Sequence, residues 1–120
     1  MSVDPEVDPA LLEDLRERVR QGAVIWEDFR AGVEVHQLWG DPAGAHAVLL
    51  RYAPGARVPR HLHEGVEHVH VLEGSQRDDR GLHVAGAHVV NLPGSIHTVE
   101  SPEGCLVLVV WERPNRFLEA

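Results

Sequence analysis

The feature that most constrains the fold of this chain is a series of short apolar segments with a two-residue period. Turn-forming pairs such as Pro54-Gly55 and Pro93-Gly94 separate these segments, so that they recur about every 8–12 residues. Short strands at this spacing are typical of a β-sandwich or β-barrel. The sequence therefore predicts an all-β domain, with strands over residues 32–38, 45–53, 66–72, 85–92 and 104–111.

A single amphipathic helix is predicted ahead of the strands. Asp8 can cap this helix, Pro9 suits its first position and Gly22 ends it. An apolar stripe at helical spacing is expected to pack on the β domain, and it consists of Leu11, Leu12, Leu15 and Val19. We therefore expect an N-terminal extension and helix over residues 1–22 and a single β domain over residues 23–120.

Composition limits the partners and the chemistry. The 120 residues suffice for one domain, and 19 acidic against 11 basic residues give a net charge of −8. This charge argues against nucleic acid and anionic membranes as partners. Every basic residue is Arg, and the one cysteine, Cys105, excludes an intramolecular disulfide and any paired-cysteine metal site. Because the sequence shows neither a signal peptide nor a long apolar run, we expect a cytoplasmic protein.

The nine histidines make metal binding the first functional question. In an extended chain, residues two apart point to the same side, so His61 and His63 present two imidazoles together. Gly65 lets the chain reverse, and Glu67 then returns on the neighbouring strand with its carboxylate directed at the same point. The turn before His97 delivers a fourth ligand. The pattern predicts one divalent metal ion per chain, bound by His61, His63, Glu67 and His97.

Six other histidines lie outside this predicted ligand set. His68 and His70 have the opposite parity to Glu67, so we expect them on the other face of the sheet, facing solvent or a second subunit. If His68 were the ligand instead, Glu67 would turn outward and the strand register would slip by one residue. The remaining histidines have no partner at ligand spacing and are expected to be exposed or hydrogen-bonded; they are His36, His46, His83 and His88.

Two roles outside the site are also predicted. Cys105 is expected to be a small buried apolar residue rather than a reactive thiol. Trp26, Trp39 and Trp111 are expected to fill the core or an interface rather than to form a binding site.

These residues carry a family resemblance. Residues 55–74 fit the first cupin motif, G-x5-H-x-H-x3-E-x6-G, at each stated position: Gly55, His61, His63, Glu67 and Gly74. The second motif is matched in part. Its G-x2-H spacing is kept at Gly94 and His97, whereas Pro93 and Gly86 are displaced by one position and Ser101 stands where Asn is expected.

Five further segments resemble the cupin domain of the ChrR-type anti-sigma factors and its stand-alone relatives. They are Leu-Arg-Tyr-Ala-Pro-Gly-Ala at 50–56, Val-Leu-Glu-Gly at 71–74, Asp-Arg-Gly at 79–81, Pro-Gly-Ser-Ile-His at 93–97 and Pro-Glu-Gly-Cys-Leu at 102–106. The resemblance implies a small double-stranded β-helix, the cupin jelly-roll barrel. It also implies a metal ion in the barrel mouth, held by the four residues proposed above, with zinc expected first and iron, manganese or nickel as alternatives.

The ChrR-type anti-sigma factors have one feature for which this sequence shows no equivalent. They hold their sigma factor with a separate N-terminal zinc domain, and about 25 cysteine-free residues precede the β region of this sequence. We therefore expect no sigma-factor partner. The small domain, its three tryptophans and a predicted edge strand at 33–38 favour a homodimer.

Two functions fit the site. A zinc ion bound by all four side chains gives a structural, ligand-sensing or regulatory site, at which a small anionic or oxygen-donor ligand can exchange. Iron, manganese or nickel with open positions instead resembles the centre of a cupin dioxygenase acting on a small diketone, diol or enol. The sequence shows no acid–base pair or nucleophile beside the ligands, so a catalytic residue is not assigned.

Overall fold

The structure, a computed structural model, describes residues 8–118 and contains in that range one helix and ten strands. The helix α1 spans Pro9–Arg20. The strands are β1 (Glu27–Arg30), β2 (Val33–Gly40), β3 (His46–Tyr52), β4 (Arg57–Leu62), β5 (Glu67–Asp78), β6 (Gly81–Val84), β7 (His88–Asn91), β8 (Ile96–Glu100), β9 (Cys105–Trp111) and β10 (Arg116–Phe117).

The strands form a curled antiparallel sheet whose order is β1-β2-β3-β9-β5-β8-β4-β10, with β6 and β7 also paired to β5. The long strand β5 joins the two layers. Its first half pairs with β7 and β9, and its second half pairs with β6 and β8. This arrangement is the jelly-roll barrel that the sequence predicts, so the predicted fold class is confirmed.

The barrel interior is filled by the inward residues of strands from both layers. Alternate positions of β9, namely Val107, Val109 and Trp111, belong to this core, and Val69 and Val71 of β5 face them. Cys105 is buried in the same cluster, as expected for a small apolar residue. Because every second residue of these strands points inward, polar residues on the same parity are carried into the barrel as well.

The helix covers the outer face of the β3–β9–β5 layer. Asp8 caps it through a 2.9 Å hydrogen bond from the amide of Ala10, as predicted. Leu15 is fully buried against Leu49, Leu72 and Leu108. The helix therefore explains why these strands carry apolar residues on both faces. This helix, the one helix among residues 8–118, is not long and apolar enough to span a membrane.

Two expectations about the strands differ from the structure. Strand β2 is not an edge strand, because β1 pairs with it on its outer side. The chain does not return beside β4 after Gly65. Strand β4 pairs with β8 and β10, and β5 lies with β7 and β9. Residues 63–66 therefore cross from one layer of the barrel to the other, which the local sequence pattern does not distinguish from a hairpin.

Candidate metal centre

Three of the predicted ligands meet inside the barrel. His61 and His97 lie directly opposite each other on the paired strands β4 and β8, and His63 follows β4 immediately. One ring nitrogen of each histidine lies within 4.8 Å of one on each of the others. The ring centroids of His97 are 4.6 Å from those of both His61 and His63. The structure thus brings together residues separated by more than 30 positions in the chain.

In His61 and His63, Nδ1 is hydrogen-bonded and Nε2 is left available to a metal ion. Nδ1 of His61 donates to the carbonyl oxygen of Pro59 at 2.7 Å. Nδ1 of His63 lies 3.1 Å from the carbonyl oxygen of Ser95 and 2.9 Å from its Oγ, and this hydroxyl itself donates to Leu92. A proton on Nδ1 leaves Nε2 as the unprotonated nitrogen that can bind a metal ion.

Two Nε2 atoms of the cluster make no hydrogen bond. Nε2 of His63 and Nε2 of His97 are both buried and make no hydrogen bond in the structure. A buried polar atom left unpaired costs free energy, so such atoms call for an explanation. A divalent cation between the three rings would satisfy them, and the donor set of neutral imidazoles therefore fits a metal ion.

Glu67 adjoins this cluster through one of its carboxylate oxygens. Its Oε1 lies 3.2 Å from Nε2 of His63 and accepts a 2.7 Å hydrogen bond from Nδ2 of Asn91. Its Oε2 accepts hydrogen bonds from Nε1 of Trp111 and, at 3.3 Å, from Nδ2 of Asn115. Since each oxygen has two lone pairs, Oε2 is fully occupied and Oε1 keeps one lone pair. Glu67 can therefore offer a metal ion one oxygen atom.

The protonation states suit metal binding at neutral pH. Burial lowers the pKa of His61, and burial together with the neighbouring His61 and His63 lowers the pKa of His97 to about 4. Burial alone would raise the pKa of Glu67, but its contacts with His63 and Trp111 outweigh burial and hold the pKa at about 2. Near pH 7, His61 and His97 are neutral and the Glu67 carboxylate is ionised, which are the forms that ligate metals.

A second cluster of ligand atoms shares His97. It consists of Asp78, Asp79 and His97, and Oδ2 of Asp78 lies 3.8 Å from Nδ1 of His97. A neutral imidazole has one unprotonated nitrogen, so His97 can serve one of the two clusters at a time. The local sequence around Asp78 and Asp79 is typical of a turn, and nothing in it shows that β5 ends beside β8.

The cluster borders a cavity of about 20 Å³ in the barrel interior. A space of this size holds on the order of one water molecule. His61, Glu67 and His97 lie at its wall. The rest of the wall combines apolar residues with polar side chains to which the sequence pattern gives no role, among them Tyr52, Gln76, Asp78, Asn91 and Asn115.

The partners of Glu67 were missed because their signal is non-local. Asn91 and Trp111 are the cross-strand neighbours of Glu67 on β7 and β9, and this register cannot be read from either segment alone. Trp111 was expected to fill the core, and it does so, but its indole also holds the carboxylate. Trp39, by contrast, is half exposed.

The remaining histidines lie outside the cluster. His68 and His70 lie on the opposite face from Glu67, as parity predicts, but both are buried, so the expected exposed surface is wrong. They contact the ring of His88, which lies 4.3 Å from that of His70 between centroids. The other three are hydrogen-bonded as expected: His36 to Ile25, His46 to Gly44 and His83 to Asp78.

Comparison with known proteins identifies the class and then the family. The fold is that of the RmlC-like cupins: a chain from Ralstonia eutropha JMP134 described as an RmlC-like cupin superposes with a TM-score of 0.73 at 25% identity, covering 82% of this chain and 69% of that chain. The family model of the ChrR Cupin-like domain matches residues 15–114. The protein belongs to this family.

Two more distant structures share the fold. A putative acetylacetone dioxygenase from Methylibium petroleiphilum PM1 has a TM-score of 0.75 at 16% identity, covering 99% of this chain and 84% of that chain. The structure of Rhodobacter sphaeroides SigE in complex with the anti-sigma ChrR matches with a TM-score of 0.66 at 22% identity, covering 92% of this chain and 70% of that chain. A search of curated proteins found no match.

Proposed function

We propose that this protein is a metal-binding cupin that holds one divalent ion through Nε2 of three histidines and one oxygen of Glu67. The proposal rests mainly on two buried Nε2 atoms in the three-histidine cluster, those of His63 and His97, neither of which makes a hydrogen bond. The Glu67 carboxylate lies 3.2 Å from the first of them. Zinc is the ion we expect first, since three nitrogens and one oxygen complete its tetrahedron. The role proposed for this site is ligand sensing or regulation, with a small anionic or oxygen-donor ligand exchanging at the ion.

Elemental analysis of protein purified without chelators tests this proposal. The wild-type chain is expected to carry about one equivalent of metal, and His61→Ala or His97→Ala to lose well over half of it and to melt at a lower temperature. His36→Ala is the matched control, because His36 bonds to the carbonyl oxygen of Ile25, away from the cluster. A full equivalent of metal in either cluster variant would overturn the assignment.

A dioxygenase activity is the second candidate, supported by the fold that this chain shares with the putative acetylacetone dioxygenase from Methylibium petroleiphilum PM1. His61, Glu67 and His97 form part of the wall of the small cavity, so a molecule of about the size of water in it would lie against the proposed metal ligands. Iron, manganese or nickel at this position would supply the chemistry for dioxygen and a small diketone, diol or enol. Iron or manganese in the purified protein, followed by oxygen uptake with 1,3-diketones or diols, would favour this function; zinc without uptake would exclude it.

The assembly state also belongs to this proposal. We propose a homodimer, supported by the small size of the domain and by the half-exposed Trp39 on β2. Sedimentation at micromolar concentration tests it, and a mass equal to the 13.3 kDa of one chain would refute it. The expectation that no sigma factor binds stays a prediction, which co-expression with a sigma factor and purification of the pair would test.

A further inference from the structure

His97 differs from the other two histidines of the cluster in the group that lies nearest to its Nδ1. His61 and His63 direct Nδ1 at backbone carbonyl oxygens, whereas Nδ1 of His97 faces the carboxylate of Asp78. Asp78 ends β5 next to Arg77, the residue at which β5 pairs with β8. The side chain of Asp78 is 5% exposed, so its carboxylate is effectively an interior group.

The Asp78 carboxylate is held in place by residues that take no part in the cluster. Oδ1 accepts from the amide of Arg80 and from Nε2 of His83, each at 2.9 Å. Oδ2 accepts from Nη2 of Arg80 at 3.1 Å. Three of the four lone pairs are therefore used. The unused lone pair belongs to Oδ2, the oxygen nearest to Nδ1 of His97.

We propose that Asp78 is a positioning residue for His97, whose carboxylate keeps the His97 proton on Nδ1 and leaves Nε2 to bind the metal ion. The present separation of 3.8 Å is too long for a hydrogen bond, and shortening it by about 0.8 Å would make one. A carboxylate in this position fixes the orientation of a ligating imidazole and raises its basicity. The inference rests on the proposed metal site but concerns a residue outside its ligand set.

The same arrangement accounts for the second cluster of ligand atoms. If Asp78 accepts the Nδ1 proton of His97, that nitrogen cannot bind a metal ion, and Asp78 and Asp79 do not form a separate site. Asp79 is the matched control for Asp78, because it is the adjacent aspartate, is exposed, and belongs to the same cluster of ligand atoms. A positioning role predicts different effects of the two aspartates, whereas a metal site on the acidic pair predicts equal ones.

The test compares Asp78→Asn and Asp79→Asn in the full chain with two measurements. The first is the tautomer of His97 in the metal-free protein at pH 7.5, read from two-bond nitrogen–proton NMR correlations. The second is zinc affinity, measured by competition with a chromophoric chelator.

We expect the Nδ1-protonated tautomer in wild type and in Asp79→Asn, with zinc affinities within about twofold of each other. Asp78→Asn is expected to lose that tautomer and to bind zinc about 10–100-fold more weakly, still at one equivalent. Wild-type protein with the proton on Nε2 would overturn the inference even if Asp78→Asn failed to fold. Equal losses in both variants would overturn it in favour of a metal site on the acidic pair. If wild type bound no zinc, the proposed function would fail, while the tautomer measurement would still decide the role of Asp78.

Discussion

The indole Nε1 of Trp111 donates a hydrogen bond to Oε2 of Glu67, a residue 44 positions earlier in the chain. Trp111 is the cross-strand neighbour of Glu67 on β9, and Asn91 is its neighbour on β7. Both neighbours donate to the carboxylate, one to each oxygen. The orientation of Glu67 is therefore set by the register of three strands, and the oxygen left with a lone pair is the one beside His63.

Trp111→Phe tests whether this orientation matters for metal binding. Phenylalanine fills most of the indole volume but donates no hydrogen bond, so Oε2 of Glu67 keeps Asn115 as its remaining donor. We expect zinc affinity to fall about tenfold or more, and the free energy of unfolding to fall by about 1–3 kcal/mol. Trp26→Phe is the matched control, because Trp26 packs on the outer cluster beneath the helix. Equal zinc affinities in the two variants would contradict the assigned role of Trp111.

The sequence predicts the parts of the site that depend on local spacing. His61 and His63 lie two residues apart near the end of a strand, so their imidazoles point to the same side of the chain. A turn places His97 at the start of another strand, and this too can be read from the local sequence. Glu67 was predicted from a reversal at Gly65 that the structure does not contain. Its parity along β5 was correct even so, because alternation within a strand does not depend on which strand is its neighbour.

The parts that the sequence did not predict depend on pairing between distant segments. Asp78 reaches His97 because β5 is twelve residues long and enters the second layer, whereas the predicted strand ended at residue 72. The burial of His68 and His70 was missed for a related reason. Polarity indicated an exposed face, but side chains of the adjacent strand β7 cover part of that face, including the ring of His88 that stacks on His70.

Two glycines of the first cupin motif are predicted to differ in their tolerance of a side chain. Both Gly55 and Gly74 have positive φ, +81° and +75°, which disfavours any other residue. A Cβ at Gly55 would meet nothing within 4 Å, whereas one at Gly74 would lie 2.0 Å from the carbonyl oxygen of Gly104. We expect Gly55→Ala to cost about 1–2 kcal/mol and Gly74→Ala about 2–5 kcal/mol, because a steric term is added. Chemical denaturation measures both, and equal losses would show that the backbone at Gly74 moves freely away from Gly104.

The stability of the metal-free protein is expected to fall as the pH is lowered from about 6.5 to 4. Burial, together with the neighbouring His88 and His68, lowers the pKa of His70 to about 4. An unfolded chain protonates its histidines near pH 6.5, so in this window the unfolded state binds more protons than the folded state. Each such histidine lowers the free energy of unfolding by up to about 1.4 kcal/mol per pH unit, and His97 acts in the same direction.

His70→Phe isolates one of these contributions, because it keeps a ring against His88 and removes the titrating group. Its unfolding free energy, measured by denaturant titration at several pH values with a chelator present, is expected to vary less steeply with pH than that of wild type. The two proteins should show the same pH dependence above about pH 6.5, where His70 is neutral in both the folded and the unfolded state. Identical slopes for the two proteins between pH 6.5 and 4 would show that His70 is protonated in the folded state.

The helix is predicted to stabilise the barrel without contributing to the metal site. Leu15 is 0% exposed and packs on the outer face of the sheet, whereas the histidine cluster lies on the inner side of the barrel. Leu15→Ala should cost about 2–5 kcal/mol of unfolding free energy, while Leu11→Ala, at a half-buried position of the same helix, should cost less. Since neither change reaches the inner face, both variants should keep the metal content of wild type under conditions in which they are folded. Loss of metal from folded Leu15→Ala would mean that the two faces of the sheet are coupled through strands β5 and β9.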